Sequence, residues 1–313
     1  MSNVKSGGKP TVFIDGGAGT TGLEIRERLA QLSGIAVRSI DPDKRKDSNA
    51  RLALMREVDL IVLCLPDDAA KDAVTMAASL GADAPKIVDA STAHRVSDGW
   101  TYGFAEMGVA QAAAIASARL VTNPGCYPTG AIALLRPLVD AGVMPADYPV
   151  TINAVSGYSG GGKAMIAAYE VEKTAPAFEL YGLGLEHKHV PEIQKYSGLT
   201  RRPIFVPSVG SFRQGMLVSI PLHLDTLPRQ PSVANLEATL AAHYAGAGQV
   251  SVVSADSLKG RMAAETLAGR DEMQLAVFGN EKLAQAVLVA RLDNLGKGAS
   301  GAAVQNIRLM LGL

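Results

Sequence analysis

An α/β fold in two parts is predicted by three features of the chain. Short β-type runs alternate with helical patterns as far as residue 125, the texture then changes to strands without regular helices between them, and a glycine-rich turn follows the first strand. The β-type runs are TVFID (11–15), IAVRSID (35–41), DLIVLCL (59–65), KIVDAS (86–91) and RLVTN (119–123). Helical spacing of Leu23, Arg26, Leu29 and Ala30 fills one interval, and DDAAKDAVTMAASLG, closing on a glycine, fills another. Alternation of this kind builds βαβ units on a parallel sheet. Beyond Cys126, the runs in YPVTINAVSGYSGGGKAMI, PIFVPSVG, GMLVSIPLHL, QLAVFGN and QAVLVARLDN predict an α+β domain on a mixed or antiparallel sheet, with helices at 163–172 and in SVANLEATLAAHYAG.

Composition narrows the function classes. A length of 313 residues suits two cores. Thirty acidic and 30 basic side chains cancel, so there is no bulk pull toward nucleic acid or an anionic membrane, and neither is expected as a partner. No stretch approaches the roughly 18 apolar residues of a membrane helix, and MSNVKSGGKP lacks the apolar core of a secretory signal, so a cytoplasmic protein is expected. The two cysteines, Cys64 and Cys126, cannot form a disulfide framework. Cys64 lies in an apolar strand and reads as a small buried hydrophobe.

The turn DGGAGTTG places Gly16, Gly19 and Gly22 in a GxxGxxG spacing between the first strand and the first helix. Missing side chains there let backbone N–H groups approach a pyrophosphate, so a Rossmann-type dinucleotide site is expected. After the second strand, RSIDPDKRKD mixes Asp41 and Asp43, which suit a ribose 2′-hydroxyl, with Arg38, Lys44, Arg45 and Lys46, which suit a 2′-phosphate. The excess of cations tilts the expectation toward NADP.

Chemistry concentrates in three further motifs. In NPGCYPTG, Cys126 follows a strand, and Pro128 suits the first turn of a helix, where its missing N–H is not needed. A sulfur at such a terminus faces unsatisfied N–H groups and the positive end of the helix dipole, which favour the thiolate. A thiolate beside a nicotinamide can form a covalent acyl adduct that exchanges hydride with the cofactor. In EHKHVPEI, Val190 precedes a proline and is expected to be extended, which puts His187 and His189 on one side as candidate proton-transfer groups. Two histidines without a third ligand make a poor metal site, and no metal is expected. SGYSGGGK ends in Lys163 at an expected helix start and could hold an anion or serve only as a flexible connection. Arg95 follows the fourth strand, while His94, His223 and His243 lack catalytic context.

These residues resemble one family. IDGGAGTTGLEI, NPGCYPTGAI, SGYSGGGK, HKHVPEI and the closing KGASGAAVQNIRLMLG span the chain, and together they are similar to the short form of the N-acetyl-gamma-glutamyl-phosphate reductases, in the semialdehyde-dehydrogenase-like group. The resemblance implies a dinucleotide-binding domain of residues 1–125 plus 294–313, to which the C-terminal helix returns, and a catalytic and dimerisation domain of residues 126–293. It implies NADPH-dependent reduction of N-acetyl-L-glutamyl 5-phosphate to the 5-semialdehyde and phosphate, in arginine biosynthesis, by a homo-oligomer that is a dimer or a dimer of dimers. By the same resemblance Cys126 is the nucleophile that forms the thioester. His189 is the general acid/base, with His187 as the alternative, and Glu192 orients the ring. Cofactor contacts fall to Gly16, Gly19, Thr20, Thr21, Gly22, Ser39, Lys44, Arg45, Gly160, Gly161, Gln305 and Asn306, and substrate contacts to Arg95, Asn123 and Lys163. Longer members carry Ser-acid-Phe-Arg where this chain reads STAHR. Aspartate-semialdehyde dehydrogenase is the nearest alternative, but its cysteine is flanked by Asn where Tyr127 stands here. Glyceraldehyde-phosphate dehydrogenase would need a Ser-Cys-Thr-Thr-Asn stretch that is absent. A non-catalytic NADP-binding redox sensor is the alternative of another class.

Overall fold

In a computed structural model, which describes residues 8–313, the chain divides into two compact units. The first comprises residues up to Ala105, Val109–Pro124 and Ala299–Leu313, and the second Glu106–Gly108 with Gly125–Gly298.

The first unit is built on β1 (Thr11–Asp15), α1 (Thr20–Ala30), β2 (Ala36–Arg38), α2 (Ser48–Glu57), β3 (Leu60–Leu63), α3 (Asp67–Ala78), β4 (Lys86–Asp89), β5 (Thr101–Tyr102), α4 (Gln111–Ser117) and β6 (Leu120–Thr122). Its six strands run parallel in the order β2-β1-β3-β4-β6-β5. Side chains alternate across this sheet, so each strand feeds two cores. Val12, Ile14, Leu60, Val62 and Val88 meet Ile25 and Leu29 of α1 on one face. Phe13, Ile61, Leu63 and Ile87 meet Met55 of α2 and Ala70, Ala73 and Ala77 of α3 on the other. Burial on both faces is why β1 and β3 are apolar at nearly every position instead of alternating. β5, only two residues long, is too short to show in the sequence pattern.

The second unit adds α5 (Cys126–Asp140), β7 (Thr151–Gly157), α6 (Gly162–Ala167), β8 (Phe178–Leu180), α7 (Val190–Ser197), β9 (Ile204–Gly210), β10 (Met216–His223), α8 (Val233–His243), β11 (Val250–Val252), β12 (Met273–Asn280) and β13 (Gln285–Leu292). Seven strands form a mixed sheet in the order β11-β12-β13-β10-β7-β9-β8, parallel at β7/β9 and β11/β12 and antiparallel elsewhere. The last helix, α9 (Gly301–Leu311), belongs to the first unit, where Ala303, Ile307 and Met310 join the α1 face of its core.

α5 lies close on the mixed sheet because Gly130 has no side chain: a Cβ there would sit 2.8 Å from Val218 Cγ2 of β10. Its interior Pro137 cannot donate to the Ala133 carbonyl one turn back. Tyr244, just past α8, donates its hydroxyl to that carbonyl at 2.9 Å, so the helix keeps its proline without an orphaned acceptor. The opposite face of the sheet carries exposed Phe178 and Leu180 and borders a cavity of about 530 Å³ lined by Val155, Val206, Leu217 and Val287 among others.

The second unit also holds a buried ion pair. Lys297 Nζ donates to both carboxylate oxygens of Glu106, at 2.8 and 2.7 Å, and to Gln249 at 3.0 Å. It fastens residues 106–108 to this unit. Removing one partner of such a pair strands the other charge in the interior. Lys297→Met is therefore expected to cost about 3–5 kcal/mol of stability, and Lys297→Met with Glu106→Leu should recover most of it, as read by urea denaturation.

Candidate active site

Cys126 is the first residue of α5, and its N-cap, Gly125, offers no side-chain hydrogen bond to the opening turn. Pro128 occupies the third helical position, where an N–H would have no partner within the helix. Cys126 thus stands at the positive end of a 15-residue helix, as the sequence predicts. Gly298 packs under it, since a Cβ at 298 would come within 2.8 Å of Cys126 Cβ.

The histidine segment differs from expectation. Residues 187–189 are not extended: they form a turn that enters α7, His189 is the N-cap with helical φ and ψ, and Val190 and Pro191 open the helix. A proline at the second helical position has no N–H to lose and a φ already set for the helix, and this outweighs the extended bias it places on Val190. The two rings still come together, with centroids 4.7 Å apart. His189 N–H donates to His187 Nδ1 at 3.1 Å, which makes that nitrogen an acceptor and leaves the neutral ring protonated on Nε2. His189 is buried.

Glu192 connects the two motifs. Its carboxyl is 1% exposed and accepts the Gly125 N–H at 3.2 Å. One turn beyond His189 and one residue before Cys126, this contact holds the start of α7 against the start of α5. The glutamate thus bonds the backbone beside the thiol, a role the motif alone does not reveal.

Tyr127 fills the space between them. Its ring lies 6.0 Å from His189, 6.1 Å from His187 and 5.2 Å from Phe205, and its hydroxyl donates to Ser208 O at 2.8 Å. Tyr181 Oη donates to Tyr127 Oη at 3.1 Å. Burial pushes the Tyr181 phenol up to about 12 and drives Tyr127 upward as well, so both remain neutral. Sequence reading missed Tyr181, which belongs to no motif.

SGYSGGGK forms the end of β7, a 3₁₀ turn at Tyr158–Gly161 and α6, a helix of only six residues on which Lys163 is exposed. Asn294, also missed from sequence, shapes this loop by donating to Ser159 Oγ at 2.9 Å and accepting Gly215 N–H at 2.9 Å. Gly157 is obligatory, because a Cβ there would sit 2.5 Å from Arg213 O.

In the first unit, the three spaced glycines have separate jobs. Gly16 has φ +81° and its missing Cβ would overlap the Cys64 carbonyl, so it makes the tight turn. A Cβ on Gly22 would lie 2.8 Å from Gly17 Cα, so Gly22 packs α1 against the loop. Gly19, the α1 N-cap, would meet only Gly16 O at 3.6 Å. Its missing side chain leaves that side open, and no side chain caps α1, so the loop fits a pyrophosphate approaching Gly19, Thr20 and Thr21. Asp15, an acid at the edge of this loop, is matched by Arg51, whose Nε and Nη2 reach Asp15 Oδ2 at 3.1 and 2.6 Å. Ser39 accepts from Arg26 at 2.6 Å, and Lys44 and Arg45 are exposed nearby in sequence.

The remaining expected site residues in this unit are more enclosed. Arg95 is buried, with Nε donating to Asn123 O at 3.2 Å. Its loop is shaped by Asp89, which accepts Ser91 N–H and Oγ at 2.9 and 2.8 Å and lies 2.6 Å from His94 Nδ1, while the His94 ring stacks on Trp100. Asn123 is engaged at both ends of its amide: Nδ2 donates to Ala299 O at 3.0 Å, and Oδ1 accepts from Asn306 at 3.1 Å. Through these bonds Asn123 ties the loop after β6 to the start of α9. Asn306 is fully buried and also donates to Gly103 O at 3.0 Å, while Gln305 beside it is half-buried. Among the described residues, no group of three or more His, Cys, Asp or Glu side chains is arranged to hold a metal ion, and no helix is long and apolar enough to cross a membrane.

Known proteins are similar to this chain in sequence and in architecture. Residues 34–116 match the model of a semialdehyde dehydrogenase NAD binding domain and residues 126–294 that of a semialdehyde dehydrogenase dimerisation domain. N-acetyl-gamma-glutamyl-phosphate reductases of Brucella ovis and Brucella suis biovar 1 are each 55% identical over 311 residues, covering 97% of this chain and 99% of theirs. The chain belongs to the N-acetyl-gamma-glutamyl-phosphate reductase family. Among solved structures, aspartate semialdehyde dehydrogenase II of Vibrio cholerae, complexed with ASA, aligns with a TM-score of 0.68 at 16% identity over 97% of this chain and 98% of that one. The Candida albicans aspartate semialdehyde dehydrogenase with NADP aligns with a TM-score of 0.64 at 15% identity over 96% and 98%. At that identity the likeness is one of fold. The family expected from NPGCYPTG and HKHVPEI is the family found, and it is an oxidoreductase family.

The two thiols should react very differently. Burial, with Asp89 and Asp15 nearby, pushes Cys64 up to about 12. At pH 8 that leaves roughly one Cys64 in ten thousand ionised. Native protein treated with iodoacetamide at pH 8 is expected to carry one label, on Cys126, and Cys126→Ser protein none; peptide mass spectrometry checks both.

Proposed function

We propose that the chain reduces N-acetyl-L-glutamyl 5-phosphate to N-acetyl-L-glutamate 5-semialdehyde and phosphate with NADPH, through a thioester on Cys126. The observation that carries this reading is the Glu192–Gly125 hydrogen bond, which joins the histidine helix to the thiol helix. The names of the 55%-identical relatives supply the substrate.

The Cys126 thiolate attacks the acyl carbon, and the tetrahedral adduct collapses with loss of phosphate. Bound NADPH supplies the hydride that takes the thioester to the thiohemiacetal level. His189 protonates the developing oxyanion, then accepts that proton back as the carbon–sulfur bond breaks and the aldehyde leaves. His187, with Nδ1 engaged by the His189 backbone, positions the base and does not replace it. Glu192 places His189 through the backbone contact and so supports the ring indirectly. Arg95, Lys163 and the SGYSGGGK loop receive the substrate's anionic groups, while Asn123 positions α9.

For the cofactor, Gly16, Gly19, Thr20, Thr21 and Gly22 hold the pyrophosphate. Ser39, Lys44 and Arg45 border the adenosine 2′-phosphate, and Gly160, Gly161, Gln305 and Asn306 border the nicotinamide end. The open apolar face of the mixed sheet, with Phe178, Leu180 and Val287, is where a second copy docks, in keeping with the matched dimerisation domain. The reading is of a cytoplasmic homodimer or dimer of dimers.

Cys126→Ser is expected to lower kcat at least about a thousandfold while NADPH still binds. His189→Asn should cost about a hundred- to ten-thousandfold, and His187→Asn less than about tenfold. These are measured as phosphate-dependent NADP reduction with N-acetyl-glutamate semialdehyde. Faster turnover of aspartate semialdehyde by the wild type would replace this substrate with the other, and a greater loss in His187→Asn would reassign the base.

A further inference from the structure

Arg26 spans two parts of the first unit that the glycine motif alone does not connect. It projects from the second turn of α1, and its Nη1 donates to Ser39 Oγ at 2.6 Å, one residue past the end of β2. Its Nη2 lies 2.9 Å from the position a Cβ on Gly17 would occupy, so the guanidinium runs alongside the glycine loop. The end of β2 is where parallel nucleotide-binding sheets discriminate the adenosine ribose: an acid there hydrogen-bonds a free 2′-hydroxyl, and an arginine accommodates a 2′-phosphate.

Of the two acids of this segment, Asp41 is directed elsewhere. Asp41 Oδ1 accepts the Asp43 N–H at 3.0 Å and caps the 3₁₀ turn Pro42–Lys44. A planar guanidinium held at one nitrogen by a serine keeps further N–H donors in a fork that matches two phosphate oxygens. Arg26 is only partly exposed, unlike Lys44 and Arg45, so less of its side-chain freedom remains to be lost when it grips an anion.

We propose that Arg26, oriented by Ser39, binds the adenosine 2′-phosphate and sets the preference for NADP over NAD. This rests on the cofactor reading above and assigns within it a residue that the cation-rich stretch after β2 does not contain. Gly17 belongs to the same device: a side chain there would push the guanidinium away from Ser39.

The test is equilibrium binding to full-length protein, by calorimetry, of NADPH, NADH, adenosine 2′,5′-bisphosphate and AMP. Arg26→Met is expected to weaken NADPH and the bisphosphate by about thirtyfold, the loss of a charge-assisted contact, and to leave NADH and AMP within about twofold. Arg26→Lys, which keeps the charge without the fork, should lie between, and Ser39→Ala should weaken only the two 2′-phosphorylated ligands. Equal losses for both classes of ligand would make Arg26 a structural residue of α1 and overturn the assignment, as would unchanged NADPH binding. If Arg26→Met does not fold, Arg26→Lys and Ser39→Ala decide by the same criterion. Wild-type protein that binds neither dinucleotide would overturn the cofactor reading and this assignment with it, a result separable from the others because it needs no variant.

Discussion

The carboxyl of Glu192 accepting the Gly125 N–H is the contact on which the chemistry proposed for the second unit depends. A thiol at a helix N-terminus becomes a useful nucleophile only with a proton-transfer group in reach, and the two residues proposed for these roles, Cys126 and His189, belong to helices far apart in sequence. Glu192 lies one turn past His189, and Gly125 immediately precedes Cys126, so one buried hydrogen bond sets the distance between the starts of both helices. Tyr127 then fills the gap, with its hydroxyl fixed to the β9 backbone at Ser208. The residue next to Cys126 thus packs between the two histidine rings and the β9 backbone.

The first unit depends on absent side chains and matched charges. Gly16 and Gly22 bring strand, loop and helix into contact, while Gly19 leaves one side of the loop open. Asp15 would repel a pyrophosphate at that loop, and Arg51 of α2 offsets its charge at 2.6 Å. Asn123 and Asn306 tie α9 into the same unit as the loop ending β6. Small residues early in α9 allow this, since Gly301, Ala302 and Ala303 are all buried.

Much of this was legible in the sequence because long-period patterns carry it. Strands buried on both faces read as apolar runs, and their alternation with helices predicted the parallel sheet; the strand-rich second half predicted the mixed sheet. Cys126 at a helix mouth followed from one proline and one glycine. Strands β5, β8 and β11, two or three residues long, escaped the sequence reading. The turn at His187–His189 was misread because two rules about proline compete there, and the cost of an unneeded N–H depends on where the helix starts. Partners reached only through the fold, such as Glu192 with Gly125, Asn294 with Ser159 and Arg26 with Ser39, have no sequence spacing that announces them.

All of this bears on whether Cys126 accepts the acyl group. The most direct measurement mixes the protein with N-acetyl-L-glutamyl 5-phosphate in the absence of NADPH, quenches in acid and maps the adduct by peptide mass spectrometry. One N-acetylglutamyl group on the peptide containing Cys126, released by hydroxylamine and absent from Cys126→Ser protein, is the predicted result. Phosphate release and aldehyde formation on addition of NADPH with no acyl-enzyme at any time, or an adduct on another residue, would contradict it.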